Sequence, residues 1–515
     1  MTPINVVSYG IAPNQPSLAA QNTARLRELL DPMAAGPRGT LIFPNTLGAD
    51  TYHFDDMIEV RDGIHMDLMK CRVKFTKAAY ESGDSTYGFF TFVRDVSIEN
   101  GEIEVDYDGT GGVNAGSALR IGSRHTYPFA SFREGIFDKR DLEDNKLPPQ
   151  GAITLRNLKI VSNNPAAHPI LMLGALRGVT TENLTIDGRG APGTGILYEF
   201  GFASTNDSAA FKDWSSSHAS GLSFTNTRVF NLNPRISGGA GLELTGAYDS
   251  TVTDLFVDTA NTAFIWRPGE ALNYRPGPSD AAGSKSGIRL RNIVGMNVVN
   301  GIALIGAESS GGGYLAGAGL TAAQQTDLMR FSLDGFAFTG NGSTGTGVFV
   351  SGPCDVRNGI AQFFNNNVVI SDECVQFDFV NCYFLNAADI GVRGDFGDKV
   401  FVTARKKRGR LEVCVIAGST GPGLTLGNTD SVRVAHCRFG HHADYDGIDE
   451  NSQTYGIALS DTARGVIADT CFSAIKAGGG GLSYGSQGSS DRGNTIINPQ
   501  GDKTFAEGLW RLVVA

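Results

Sequence analysis

The stretch that decides the fold runs from Gly221 to Gly269. It contains Gly221-Leu-Ser-Phe-Thr-Asn-Thr-Arg-Val-Phe230, Gly241-Leu-Glu-Leu-Thr-Gly246, Thr251-Val-Thr-Asp-Leu-Phe-Val257 and Ala263-Phe-Ile-Trp-Arg-Pro268. Each run is short, alternates apolar and polar residues, and closes on Gly, Asn, Asp or Pro. Alternation with a period of two over runs this short predicts strands, and the closing residues predict turns. Two kinds of run take turns. One carries Asn or Asp near its middle, as Asn226 and Asp254 do. The other is a compact apolar run ending in Gly.

The couplet recurs along most of the chain. Runs of the first kind begin near Ala152, Gly178, Gly221, Ser250, Gly287, Met329, Cys354, Val375, Gly409, Ser431 and Gly465. The steps from Met329 to Cys354, Cys354 to Val375 and Gly409 to Ser431 are 25, 21 and 22 residues. Longer steps read as the same unit with a loop added. Runs of the second kind lie between, such as Ile170-Leu-Met-Leu173, Val348-Phe-Val-Ser351 and Ile457-Ala-Leu-Ser460. A unit of two or three strands repeating at roughly 20–25 residues marks a parallel β-solenoid, because one unit cannot bury its own apolar face and a stack can. A propeller blade needs about 40–50 residues with four strands. A doubly wound fold needs a helix between strands. The expected fold is therefore all-β, a right-handed parallel β-helix. It divides into a cap over residues 1–50, the helix over 51–490 with loop insertions, and a tail over 491–515.

Composition narrows the partners. The net charge of -10 over 515 residues argues against nucleic acid, which asks for a basic face, and against an anionic membrane surface. The basic run Arg405 to Arg410 reads as a solvated turn. The seven cysteines form no C-x-x-C pair and read as thiols buried in the stack, as in a reducing compartment. His441 to Asp446 mixes metal-capable groups without a ligand spacing, so neither metal nor cofactor is expected. No secretory signal or membrane-spanning run is read. The expectation is synthesis in the cytosol, with virion association or release open.

At the N-terminus, Ser17 is placed to cap a helix from Leu18 to about Met33 that presents Leu18, Leu26, Leu29, Leu30 and Met33 on one face. A helix there covers the apolar end of the stack. This opening resembles a known family. Val6-Val-Ser-Tyr-Gly10, Asn22-Thr23-Ala24 on the helix, Thr40-Leu-Ile-Phe-Pro44 and Thr51-Tyr-His-Phe54 look like the start of the pectate-lyase-like superfamily. More narrowly, they resemble phage tailspike depolymerases and bacterial glycan-cleaving β-helices. Asn22 stands where that opening usually has Asp, and Asn45 to Asp50 enlarge the turn between Pro and Tyr. The resemblance implies a β-helix acting on a polysaccharide, assembled as a homotrimer. It does not fix the reaction.

The chemistry is sought where loops converge on the rigid stack. Stacking the second-kind strands points Ile196, Tyr198, Leu242, Leu244, Phe264 and Trp266 inward. Glu199, Glu243 and Arg267 point outward, with Glu199 and Glu243 on adjacent coils, one pleat out of line. Two carboxyls so held suit glycoside hydrolysis. The insertions that follow supply Asp207, Asp213, His218 and Glu270 as further proton donors or acceptors, and Lys212, Trp214, Tyr274 and Arg275 as substrate contacts. Against this stands the bland reading, a solvated face on which Arg267 pairs with Glu199. Elimination is the rival chemistry, with His218, Tyr274 or Lys212 as base and Arg267 or Arg275 on a uronate carboxylate. The Asn-x-Asp and Asp-Asp pairs of the polygalacturonase branch are not found, so the choice stays open. A third reading is a non-enzymatic glycan-binding adhesin or structural spike. The insertion from Ser123 to Gln150, rich in charge and aromatics, reads as a groove wall, a subunit contact or a disordered loop.

Overall fold

A computed structural model describes residues 3–30, 39–60, 62–76, 88–92, 95–106, 116–122, 150–165, 167–173, 176–199, 219–267, 286–304, 327, 329–342, 344–371, 374–394, 407–427, 429–440, 453–459, 465–468, 470–473, 480–484, 495–497, 500–501 and 511–513. The chain packs as two units. The first holds residues 1–261, 266–287 and 314–328, and the second holds 262–265, 288–313 and 329–515. Each is a stack of parallel strands in which every coil pairs with the next, a parallel β-helix.

In the first unit the inward column of second-kind strands is in register from coil to coil. Leu119, Ile170, Ile196 and Leu242 form one row, and Ile121, Met172, Tyr198 and Leu244 form the next. All eight are sealed from solvent. In the second unit Leu333, Val356, Phe379 and Leu411 align in the same way, as do Val348, Val368, Val392 and Leu424. Each such side chain contributes roughly 1.5–3 kcal/mol by leaving water, and it does so only because a neighbouring coil covers it.

The Asn or Asp inside each first-kind run has a structural cause. It sits where the strand turns a corner, and its backbone is left-handed. Asn100, Asn157, Asn183 and Asn226 have φ of 61°, 53°, 54° and 49°. Asn tolerates this region better than other residues with a Cβ, because its short amide bonds locally. The side chains form a ladder up the stack. Asn157 Nδ2 donates to Asn100 Oδ1 (2.9 Å), Asn183 to Asn157 (2.9 Å) and Asn226 to Asn183 (2.7 Å). In the second unit Asn358 donates to Asp334 (2.7 Å) and Asn381 to Asn358 (2.9 Å). The next corners carry Val413 and His436, at φ 55° and 53°. One residue further on, inside those corners, Cys382, Cys414 and Cys437 are buried in series, each thiol donating to a backbone carbonyl of the coil before it, that of Val356 (3.6 Å), Phe379 (3.5 Å) and Leu411 (3.5 Å) in turn.

The cap differs in detail from its sequence reading. The α-helix is Ala19–Leu30, and a 3₁₀ turn, Pro16–Leu18, precedes it. Ser17 lies inside that turn instead of capping the helix, because Pro16 with its fixed φ starts the turn one residue earlier. Leu26, Leu29 and Leu30 are buried as expected, while Met33 lies outside the described residues. Asn22 is buried and bridges two segments. Its Nδ2 donates to the carbonyls of Ala12 (3.0 Å) and His53 (3.1 Å), and its Oδ1 accepts from the Ala12 amide (3.0 Å). A carboxylate could make only the last of these bonds, so the departure from Asp has a physical reason here. The enlarged turn closes on Asp50, whose carboxylate accepts from Asn14 Nδ2 (2.7 Å) and from the Thr46 amide (2.7 Å) and hydroxyl (2.9 Å). The bond from Asn14 is the main reason its acidity is raised.

Candidate functional site

Glu243 lies in the strand Ala240–Thr245 and is paired with Leu197 of the strand Ile196–Glu199. In the same register Glu199 is paired with Thr245. The two glutamates are thus on neighbouring coils and two residues apart along the strand, as the sequence spacing predicts. A strand separation of about 4.8 Å and a rise of about 3.3 Å per residue put their Cα atoms about 8 Å apart. For Glu199 only the backbone belongs to the described structure.

The face is not the solvated one of the bland reading. Glu243 is 9% exposed, and the outward residues in register with it, Leu171 and Leu197, are also buried. Together with Leu173 they form a small apolar cluster on the outside of the stack. A carboxylate beside such a cluster must be matched. Arg267, at the end of the strand Ser250–Arg267, matches it: Nε lies 2.9 Å from Glu243 Oε1, with the Arg267 side chain 20% exposed. The ion pair described for Arg267 is with Glu243, and the Glu199 side chain that the sequence reading paired with it lies outside the described residues.

Three successive turns, each leading into a second-kind strand, frame a cavity of about 230 Å³ beside Glu243. Pro165, Ala167 and His168 come from the first, Gly193 and Thr194 from the second, and residues 236–239 from the third. The turns approach too closely for side chains at their base. A Cβ at Gly239 would lie 2.3 Å from the Gly193 carbonyl oxygen. Gly238 has φ 79°, and a Cβ there would lie 4.0 Å from Arg267 Nη2, which places the guanidinium at the rim. Thr194 Oγ1 accepts from the Ala240 amide (3.2 Å) and ties the second turn to the third.

His168 was not singled out in the sequence. It is held in the turn between Pro165 and Pro169. Burial holds its ring below the usual imidazole pKa, partly opposed by a hydrogen bond to the Thr194 backbone. That bond favours the protonated ring, so the ring N–H donates to the carbonyl. Its Nδ1 is buried and has no hydrogen-bond partner. In the tautomer that donates through Nε2, Nδ1 keeps its lone pair. A signal was available: a His-Pro pair immediately ahead of the strand Ile170–Leu173.

Asp207, Lys212, Asp213, Trp214 and His218 lie outside the described residues, as do Glu270, Tyr274 and Arg275, most of the Ser123 to Gln150 insertion and the His441 to Asp446 turn. A second constellation in the first unit brings together residue types that also occur in catalytic sites. His65 Nδ1 contacts Ser97 Oγ, its Nε2 is 3.0 Å from Glu99 Oε1, and Arg156 Nε is 2.9 Å from Glu99 Oε2. Ser97, however, is paired on both sides within regular strands, so the surrounding amides are spent in the ladder and none is turned toward an oxyanion.

No protein-family model and no curated protein matches the sequence. Solved structures similar to this chain include the A-module of mannuronan C-5 epimerase AlgE4 from Azotobacter vinelandii, at 11% identity over 96% of this chain and 99% of that one, with a TM-score of 0.44. Tailspike protein 3 of bacteriophage CBA120 is similar at 11% identity over 96% of this chain, which spans 61% of the tailspike chain, with a TM-score of 0.43. The catalytic unit of a GH87 alpha-1,3-glucanase from Streptomyces thermodiastaticus is similar at 11% identity over 99% of this chain and 70% of that one, with a TM-score of 0.42. Chemistry is read from the site's own residues, since a fold hosts many reactions.

Proposed function

We propose that this chain binds and cleaves a polysaccharide along the outward face that carries Glu199 and Glu243. The observation that carries the reading is the Glu243–Arg267 ion pair (2.9 Å), nearly buried on a rigid strand beside the cavity. Arg267 gives the Glu243 carboxylate a fixed counter-charge, which suits a base or nucleophile. Glu199 is the partner acid. Their Cα atoms stand about 8 Å apart on adjacent coils, a backbone spacing from which two glutamates can take the two carboxyl roles of glycoside hydrolysis. Hydrolysis is favoured over elimination because the cation on this face already serves a carboxylate of the protein.

The test is release of reducing ends from a panel of capsular and exopolysaccharides, with ultraviolet absorbance followed in parallel. Hydrolysis yields new reducing ends alone. Elimination also leaves an absorbing unsaturated uronate. Binding without either product supports the adhesin or spike reading instead. The homotrimer implied by the tailspike resemblance belongs to the same proposal, and a stable monomer at micromolar concentration in sedimentation equilibrium would remove it.

A further inference from the structure

We propose that the cavity beside Glu243 is a subsite for one neutral, hydroxyl-bearing sugar ring and that it discriminates against uronates. This rests on the glycan-cleaving reading above and names its substrate class. The cavity measures about 230 Å³. That is below the roughly 300–1,000 Å³ of clefts that enclose drug-sized ligands, and it suits one ring better than several.

The polar lining explains the choice. Glu243 offers a carboxylate, Thr194 and Ser237 offer hydroxyls, and His168 offers an uncharged ring. The Nδ1 lone pair of His168 is an acceptor that lacks a donor. A sugar hydroxyl can supply that donor after a small rotation of the ring, and it can equally donate to Glu243. A buried acceptor left unmatched costs the free energy of its lost hydration, so a ligand that donates is favoured there. A uronate fares worse. Its carboxylate would face that of Glu243, and the cation that the described residues place there, Arg267, is already held in a contact of 2.9 Å. The same ion pair thus repels acidic sugars and tolerates neutral ones.

Binding tests this without turnover. Three matched pairs that differ only at C6, glucose and glucuronate, galactose and galacturonate, mannose and mannuronate, are titrated into the intact chain and followed by saturation-transfer NMR. At least one neutral sugar should bind tenfold or more tightly than its uronate. Glu243→Gln weakens the hold on Arg267, so uronate affinity should rise tenfold or more. Ser237→Phe, at an exposed turn position, fills the cavity and should abolish neutral binding with the melting temperature unchanged. A parent that prefers uronates, that binds no member of any pair, or that binds as before with Ser237→Phe overturns the proposal. Because cleavage is not read, an inactive groove and a cavity that rejects neutral sugars give different results.

Discussion

Val413 occupies the corner position that Asn381 occupies one coil earlier, and both have left-handed backbones, at φ 55° and 52°. Asn381 has a side chain suited to that conformation and donates to Asn358. Val413 does not. Its branched Cβ crowds the backbone there, and its side chain is 49% exposed, so nothing packed against it compensates. Left-handed backbone costs a residue with a Cβ roughly 1–2 kcal/mol. Val413→Asn should recover about 1 kcal/mol of this and extend the ladder by a rung. Chemical denaturation monitored by circular dichroism should show a later transition. An earlier one would mean that the ladder is not what holds the corner.

The catalytic reading is tested at the two glutamates. Glu243→Gln and Glu199→Gln, made singly, change charge but hardly shape. Each should lower turnover of a cleaved polysaccharide by about 10²–10⁴-fold, the usual cost of a lost general acid or base. If both keep turnover within about threefold of the parent, the reaction lies elsewhere, with the Ser123 to Gln150 insertion next to be tried.

His168 predicts a pH dependence. Burial lowers its folded pKa, so the folded state resists the proton that the unfolded state accepts near pH 6.5. Its contribution to stability is complete above the unfolded pKa and is lost as pH falls through that value toward the folded one. His53 is shifted in the same direction by burial and by Lys74, and adds to the slope. His168→Gln should therefore reduce, without removing, the fall in melting temperature between about pH 7 and pH 5. An unchanged slope would show that His168 takes up its proton freely in the folded chain.

Asn22→Asp would restore the residue usual in the pectate-lyase-like opening, and it should nonetheless destabilise this cap. The carboxylate cannot donate to the carbonyls of Ala12 and His53, each within 3.1 Å of Asn22 Nδ2. Leaving buried acceptors unmatched costs about 1–3 kcal/mol each. Limited proteolysis should cut the N-terminal segment faster in the variant than in the parent. Equal rates would mean that the segment takes its support from elsewhere.

The inward rows were legible because a period of two is local. Ile196, Tyr198, Leu242 and Leu244 declare their face within four or five residues, and the structure seals all four. The offset between Glu199 and Glu243 was legible for the same reason, since it follows from where each strand ends. What the sequence hid depends on distant segments. Glu243 is buried because Leu171 and Leu197 stand beside it on other coils. Arg267 reaches Glu243 through a register that no single run encodes. His168 faces a cavity only because three turns from three coils stack there. The corner role of Asn was visible as a recurring residue, but its cause, the left-handed backbone, was not.

The thiols are divided unevenly between the units, and that gives each unit its own clock. Cys71 belongs to the first unit, while Cys354, Cys374, Cys382, Cys414, Cys437 and Cys471 belong to the second. Burial pushes the Cys71 thiol up to about 12, so it is inert while its coil is closed. An alkylating reagent in mild denaturant would mark Cys71 when the first unit opens and the Cys382, Cys414 and Cys437 column when the second does. Peptide mapping of the two labels would time the opening of one unit against the other in a single sample.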